Sequence, residues 1–399
     1  MGSDDVSLVG GTATFADKNA GTGKTVTATG LSLSGADAGN YQLASTSAAT
    51  TADIMAATLT GSVTASSKTY DGTAAATIAS RTLTGVVGSE NVNLAGGTAT
   101  FADKTVGNGK SVTATGLSLS GADAGNYQLA SMSAATSADI MARTLTVSAS
   151  GANKVYDGTT TATVTLSDDR AAGDDLTASY TTAAFADKNV GTGKTVGVSG
   201  ISVSGTDAGN YTVTLSASAT ADITARSLTV SAVGVNKAYD GTTAAWVSLL
   251  DDRIEGDELT ASYTSAQFAD AQAGNGKAIS VNGISVNGTD AGNYTANTEA
   301  ATVADITAVT LTVVGITAQN KVYDGTTAAT LILDGAEVVG VLSGEDVTVD
   351  ASLVTGAFSD AEVGTNKLVT VSGLTLTGAD AAHYTLTQPT TTADITPAP

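Results

Sequence analysis

Apolar residues fall on every second position in short runs. Between Arg143 and Ala225 they are Leu145 and Val147, Val164 and Leu166, Leu176, Ala178 and Tyr180, Val196 and Val198, Ile201 and Val203, then Tyr211, Val213 and Leu215, and last Ile223. A period of two in segments rich in Val, Ile, Thr and Tyr, broken by Gly and Asp, predicts half-buried antiparallel strands. No stretch sustains the helical period, so no amphipathic helix is expected. About seven short strands in ~83 residues, with turn signals between them, predict an immunoglobulin-like β-sandwich. The apolar phase slips by one residue at Gly200, between Val198 and Ile201, and the same slip stands at Gly30 and Gly116. A bulge or a bend from one sheet into the other is expected there, since an uncorrected slip would turn the apolar set toward solvent.

The pattern recurs along all 399 residues. Phe15, Phe101, Phe185, Phe268 and Phe358 each open a Phe-Ala-Asp-like segment. Tyr-Asp-Gly-Thr starts at Tyr70, Tyr156, Tyr239 and Tyr323. Gly-x-Asp-Ala-x-x-Tyr ends at Tyr41, Tyr127, Tyr211, Tyr294 and Tyr384, and Ala-Asp-Ile closes each unit at Ile54, Ile140, Ile223, Ile306 and Ile395. Spacings of 83 to 90 residues are too long for a solenoid and match a small domain. The expected domains are an incomplete amino-terminal repeat at 1–56, repeats at 57–142, 143–225 and 226–308, and a divergent repeat at 309–399 with added residues around Gly344–Gly356. Residues 11–56 differ from 97–142 at six of 46 positions, as in a recent duplication. Only Met141, Ala142, Arg143 and Thr144 separate Ile140 from Leu145, so the last strand of one unit should run almost directly into the next. Sandwiches entered at one pole and left at the other would stack end to end as an elongated rod.

Composition then removes most chemistries. With 17 Lys and Arg against 38 Asp and Glu, the net charge is −21. A nucleic-acid partner is not expected, because counterion-release binding needs clustered cations, and an anionic lipid surface is disfavoured on the same ground. No apolar run approaches the ~18–20 residues of a membrane span, so no membrane insertion is expected. The first thirty residues have neither the basic nor the apolar region of a secretory signal, which fits a cytoplasmic protein or an internal piece of a longer secreted chain. There is no Cys and one His, which excludes the common zinc sites and any Cys nucleophile. His383 replaces the Asn of the other repeats and is read as a local substitution. No enzyme, no catalytic residue and no cofactor are expected.

The regular motifs read as turns. In Lys154-Val155-Tyr156-Asp157-Gly158-Thr159 the Gly supplies a positive φ, the Asp caps local amides, and the Tyr closes one end of its own core with its hydroxyl at the rim. An amide cross-link from Lys154 or its equivalents to an Asp or Asn is a second, remoter reading. Gly-Thr-Gly-Lys-Thr at Gly21–Thr25 and Gly191–Thr195, and Gly-Asn-Gly-Lys-Ser at Gly107–Ser111, imitate half a phosphate loop. The Walker pattern needs a further Gly where Lys18, Lys104 and Lys188 stand, and no helix follows, so these are hairpin turns. Asp168-Asp169 with Asp174-Asp175, and Asp251-Asp252 with Asp257 and Glu258, are the calcium candidates, but no EF-hand loop is present. Turn-capping carboxylates on a solvated face are the preferred reading, and no metal site is expected. Asn210, Asn287 and Asn293 match the glycosylation triplet, as chance in a Thr-rich chain explains.

Lys-x-Tyr-Asp-Gly-Thr-Thr, Phe-Ala-Asp-Lys, Gly-x-Asp-Ala-Gly-Asn-Tyr and Ala-Asp-Ile, in fixed order, resemble the YDG and MBG (mostly bacterial immunoglobulin-like) repeats of large secreted bacterial adhesins, filamentous-haemagglutinin-like proteins among them. The resemblance implies a location at the bacterial cell surface and a non-catalytic stalk or spacer role, with other domains of the same long chain as partners and a host or matrix ligand left unspecified. The alternatives are repeated weak glycan- or protein-binding modules acting by avidity, and a subunit of a self-assembling fibre. Gly2–Leu8 aligns with Gly88–Leu94, so residues 1–56 have no counterpart of Thr58–Val87. That segment is expected to fray, or to be completed by a strand exchanged from another molecule.

Overall fold

A computed structural model describes residues 3–399, and Gly2 of the amino-terminal alignment lies outside the described residues. The described residues fold as strands joined by turns and five short 3₁₀ turns, one in each repeat. The result is an all-β array of tandem sandwiches, as the alternation predicts. The chain forms two compact units: residues 1–151 with 163–184 and 196–219, and residues 152–162 with 185–195 and 220–399.

In the first unit, residues 7–54 form one sheet of three strands, β1 (Ser7–Phe15), β2 (Gly21–Ser34) and β3 (Ser47–Ile54), in the order β1-β2-β3. The next repeat has the same three strands and more. Its strands are β4 (Ala57–Ala65), β5 (Lys68–Thr69), β6 (Ala75–Ala76), β7 (Ile78–Thr84), β8 (Asn93–Phe101), β9 (Gly107–Ser120), β10 (Tyr127–Leu129) and β11 (Ser133–Met141). One sheet runs β5-β11-β9-β8-β6 and the other β10-β4-β7. Leu59, Val92 and Tyr127 pack at one end of the core between them, while Phe101, Val112 and Ile140 are also buried.

Not every pair is antiparallel. Tyr127–Leu129 runs parallel to Ala57–Leu59, and Ile140–Met141 parallel to Lys68–Thr69. Alternation reports which face is buried and not strand direction. Parallel neighbours require a long crossover, and here the body of the repeat supplies it.

The second unit repeats the scheme. Around Gly283 the strand Gly274–Asn282 lies in a sheet with Ser265–Phe268 and Glu299–Thr307, whereas Ser285–Asn287 pairs with Thr260–Ser262 in another. The phase slip is therefore a change of sheet, made at a residue with φ +68. A Cβ on Gly283 would lie 2.3 Å from Thr264 Oγ1, and one on Gly200 2.4 Å from Thr181 Oγ1. The corresponding Gly30 and Gly116 take the slip within one continuous strand. In the last repeat Val313, Ile316, Val371 and Leu374 form one cluster, and Phe358, Val369, Ala393 and Ile395 another.

Gly283→Ala should lower stability by about 1–3 kcal/mol in denaturant unfolding, because it adds left-handed strain to a clash. Gly292→Ala, whose Cβ would meet nothing within 4 Å, should cost nothing or stabilise slightly.

Candidate functional site

The Lys-x-Tyr-Asp-Gly-Thr motif is a locked turn. Asp71 Oδ1 accepts from the Thr73 amide at 2.9 Å, the Thr73 hydroxyl at 2.8 Å and Lys68 Nζ at 2.8 Å. Lys68 Nζ also donates to the Thr73 carbonyl and sits 5.6 Å from the centre of the Phe101 ring. The same bonds hold the turns at Lys154, Lys237 and Lys321. Lys154 is thereby paired with its own turn Asp.

The turns at Lys68, Lys154 and Lys237 present their tyrosines to the following repeat. Tyr70 donates through its backbone amide to the Met141 carbonyl, and its ring is buried. Its hydroxyl donates to the Asp174 carboxylate, 2.8 Å from the nearer oxygen. The Tyr211 hydroxyl donates to the same carboxylate at 2.6 Å while accepting from the Ala171 amide at 2.8 Å. Lys104 Nζ completes the set, 2.6 Å from Asp174 and 2.9 Å from Asp207. The two tyrosine rings meet edge to face at 5.4 Å, a favoured aromatic geometry. Beside them the Val106 amide donates to Asn210 Oδ1 at 2.9 Å.

The second unit builds this twice. Tyr156 and Tyr294 donate to Asp257 at 2.8 and 2.6 Å, Lys188 lies 2.6 Å from Asp257, and Val190 donates to Asn293 at 2.9 Å. At the next junction Tyr239 and Tyr384 both donate to Glu345, each at 2.5 Å. No lysine is present there, since Ala271 holds the position of Lys104 and Lys188. Instead His383 stacks on the Tyr239 ring at 4.5 Å and accepts through Nδ1 from the Ala273 amide at 3.2 Å. The sole histidine is thus an aromatic spacer in a junction.

Burial alone would raise the Asp174 carboxyl, but the bonds from Lys104, Tyr211 and Tyr70 outweigh it and hold it below the usual range. Asp257 is lowered in the same way against its own burial by Lys188, Tyr294 and Tyr156. Burial, followed by the carboxylate, pushes Tyr211 and Tyr294 up to about 12. Lys104 is raised by its bonds to Asp174, Asp207 and Tyr70.

Asp174 and Asp257 therefore differ from the solvated turn caps that the sequence suggested. They are buried because each sits at the pole where two repeats meet, more than a hundred residues along the chain from the tyrosine that binds it. The Tyr hydroxyls likewise cross to the next repeat and do not end at the rim of their own. Asp168 is gripped by Arg170 through Nε at 2.7 Å and Nη2 at 2.6 Å, and Asp251 by Arg253 in the same way. Among the described residues, no three acidic or His side chains converge as a metal site. The Gly-x-Gly-Lys turns are also occupied. Gly193 and Gly276 donate their amides to Asp222 and Asp305 of Ala-Asp-Ile, at 2.7 Å each. Asn210 and Asn293 are buried, which explains their repetition as junction acceptors.

One signal for the junctions was available in the sequence. Lys18, Lys104 and Lys188 each precede a repeat with Asn at the acceptor position, whereas Ala271 precedes the one with His383.

The family model of the YDG domain matches residues 1–49, 55–135, 141–221, 224–302 and 307–393. The chain belongs to the YDG-domain family. Its YDG tyrosines Tyr70, Tyr156 and Tyr239 are thus the residues that leave one domain and enter the next. No curated protein matches the chain. Among solved structures, the Sidekick-1 immunoglobulin domains 1-5 align over 95% of this chain and 86% of that one, at 7% identity and a TM-score of 0.21.

The signs of these shifts set a pH window for the YDG junctions. Lowered carboxyls stabilise above the unfolded value of about 4 and lose that contribution as the pH falls through their folded values. Raised Tyr and Lys groups stabilise below about 10 and lose it as the pH climbs through theirs. The melting midpoint should be flat from about pH 5 to 9 and fall below about pH 4. The Asp174→Asn, Asp257→Asn double variant should melt lower at neutral pH with a shallower acid limb, measured by thermal scans across pH.

Proposed function

We propose that this chain is a non-catalytic spacer within a secreted bacterial surface protein of the adhesin kind, filamentous-haemagglutinin-like, in which it separates a binding domain from the cell. The observation that supports this most is the junction chemistry. Repeats meet through a buried or half-buried carboxylate, two tyrosines and a lysine or histidine, with a single residue between the last strand of one and the first strand of the next at Ala142 and Ala225. A hinge would be served by exposed Gly or Ser and by few contacts, so this arrangement suits a segment that must keep its geometry. The net charge of −21 would keep neighbouring copies apart on a crowded surface.

A repeated glycan site would need an exposed aromatic at the same place in each repeat. Trp246 is exposed, but Thr77, Thr163 and Thr330 occupy its equivalents. The recurring tyrosines at Tyr70, Tyr156 and Tyr239 are already used within the junctions.

Chains comprising residues 57–225, 57–308 and 57–399 should show a maximum scattering dimension that grows by about 35–40 Å per added repeat, the length of a small sandwich with its loops. A dimension that stays constant as repeats are added would contradict the spacer reading.

A further inference from the structure

The first segment of a repeat crosses it from one junction to the other. In the repeat at 226–308, Arg226–Leu228 lies parallel to Tyr294–Ala296, with Arg226 in register with Tyr294, whose hydroxyl donates to Asp257 at the entry junction. Val230–Gly234 continues against Val247–Asp251. The chain then runs parallel to the exit strand Glu299–Thr307. Asn236 Oδ1 accepts from the Asp305 amide at 2.8 Å, and Lys237 and Ala238 stand opposite Ile306 and Thr307. Tyr239 follows at once. Its amide donates to the Thr307 carbonyl at 2.9 Å, and its hydroxyl donates to Glu345 of the next repeat. Fourteen residues, 226–239, therefore join the two junctions. Residues 57–70 are a segment of the same length with the same two parallel registers, Ala57–Leu59 beside Tyr127–Leu129 and Lys68–Thr69 beside Ile140–Met141.

A pull on the two ends of the chain draws Arg226 backward and Thr307 forward. Entry and exit strands run the same way, so the hydrogen bonds between them are loaded together, in shear, and not opened one by one. The tyrosine changes where that load goes. The next repeat holds Thr307 through the main chain at Ala308 and holds Tyr239 through Glu345, so residues 237–239 and 306–307 are drawn forward together. Without sliding between them, tension runs along the covalent backbone of 226–239 and leaves through the tyrosine side chain. The body of the repeat, 240–305, lies outside this route. The bond that closes it has an ionised acceptor, which makes it roughly twice as strong as a neutral one. The Tyr239 ring is also gripped, stacked on His383 at 4.5 Å and edge-on to Tyr384 at 5.7 Å.

We propose that this segment and its tyrosine form a load path: force along the chain passes from repeat to repeat through the first strand and the tyrosine side chain, around the body of each sandwich. The inference rests on strand registers and junction bonds and holds whether or not the chain is a spacer.

The test stretches the full chain at constant force between handles on its two ends. Each repeat from residue 57 onward should open in a single step, which releases about 230–290 Å for 83 to 90 residues. Tyr239→Phe keeps the ring and removes the bond to Glu345. It should make one step about tenfold faster and leave the others unchanged. Without force, in denaturant, the same variant should unfold faster by about threefold at most. Tyr70→Phe, which removes the bond to Asp174, should hasten a different step, and the two variants together should hasten two. An equal increase with and without force would make the tyrosine a stabilising contact only and overturn the proposal. Steps that keep their original rates in both variants would overturn it too, as would repeats of the unaltered chain that open from the exit strand in short partial steps.

Discussion

A carboxylate taken out of water is costly unless its oxygens are filled, and that constraint organises these repeats. Asp174 and Asp257 each hold two tyrosine hydroxyls and one ammonium, with partners drawn from two successive repeats. Hydrogen bonds to a charged group contribute about 1.5–3 kcal/mol each, whereas removal of one leaves a buried charge under-satisfied. The neighbouring repeat is consequently part of each repeat's stable state. Sandwiches of this size bury a modest apolar core, so a shared polar cluster at the pole matters more here than it would in a larger domain.

The other motifs serve the same end. The Asp-Gly turn, its lysine and the phenylalanine beneath it fix the direction from which the tyrosine leaves its repeat. Ala-Asp-Ile anchors the Gly-x-Gly-Lys turn through its aspartate and buries its isoleucine. The Gly-Asn-Tyr turn presents an acceptor to the backbone amide of the preceding repeat and a tyrosine to the shared carboxylate. The chemistry can be rebuilt without the lysine. Glu345 with His383 replaces the Asp, Lys and Asn set, with stacking on Tyr239 in place of the ammonium.

Strands, repeats and turns were legible because each is written locally. Leu145 and Val147 alternate with polar neighbours, and Asp157-Gly158 can hardly be anything but a turn. The change of sheet at Gly200 and Gly283 was legible as a phase slip for the same reason. Asp174 and Asp257 were not. An Asp in a polar run looks solvated, and what buries it is a tyrosine 104 or 101 residues earlier in the chain. Strand direction was hidden too, since the alternation in Lys68–Thr69 is the same beside a parallel or an antiparallel partner. The exposure of Phe15 against the burial of Phe101 was legible by comparison of the repeats, since residues 1–56 have no counterpart of the Thr58–Val87 segment that covers Phe101.

The central claim is that tyrosine and carboxylate couple one repeat to the next. It is tested most directly by a double-mutant cycle on the full chain with Tyr156→Phe and Asp257→Asn, read by denaturant unfolding. The account predicts a coupling energy of at least about 1 kcal/mol, with Tyr323→Phe, whose ring is 42% exposed, adding independently to Asp257→Asn. Additivity of Tyr156→Phe and Asp257→Asn within about 0.5 kcal/mol would contradict it.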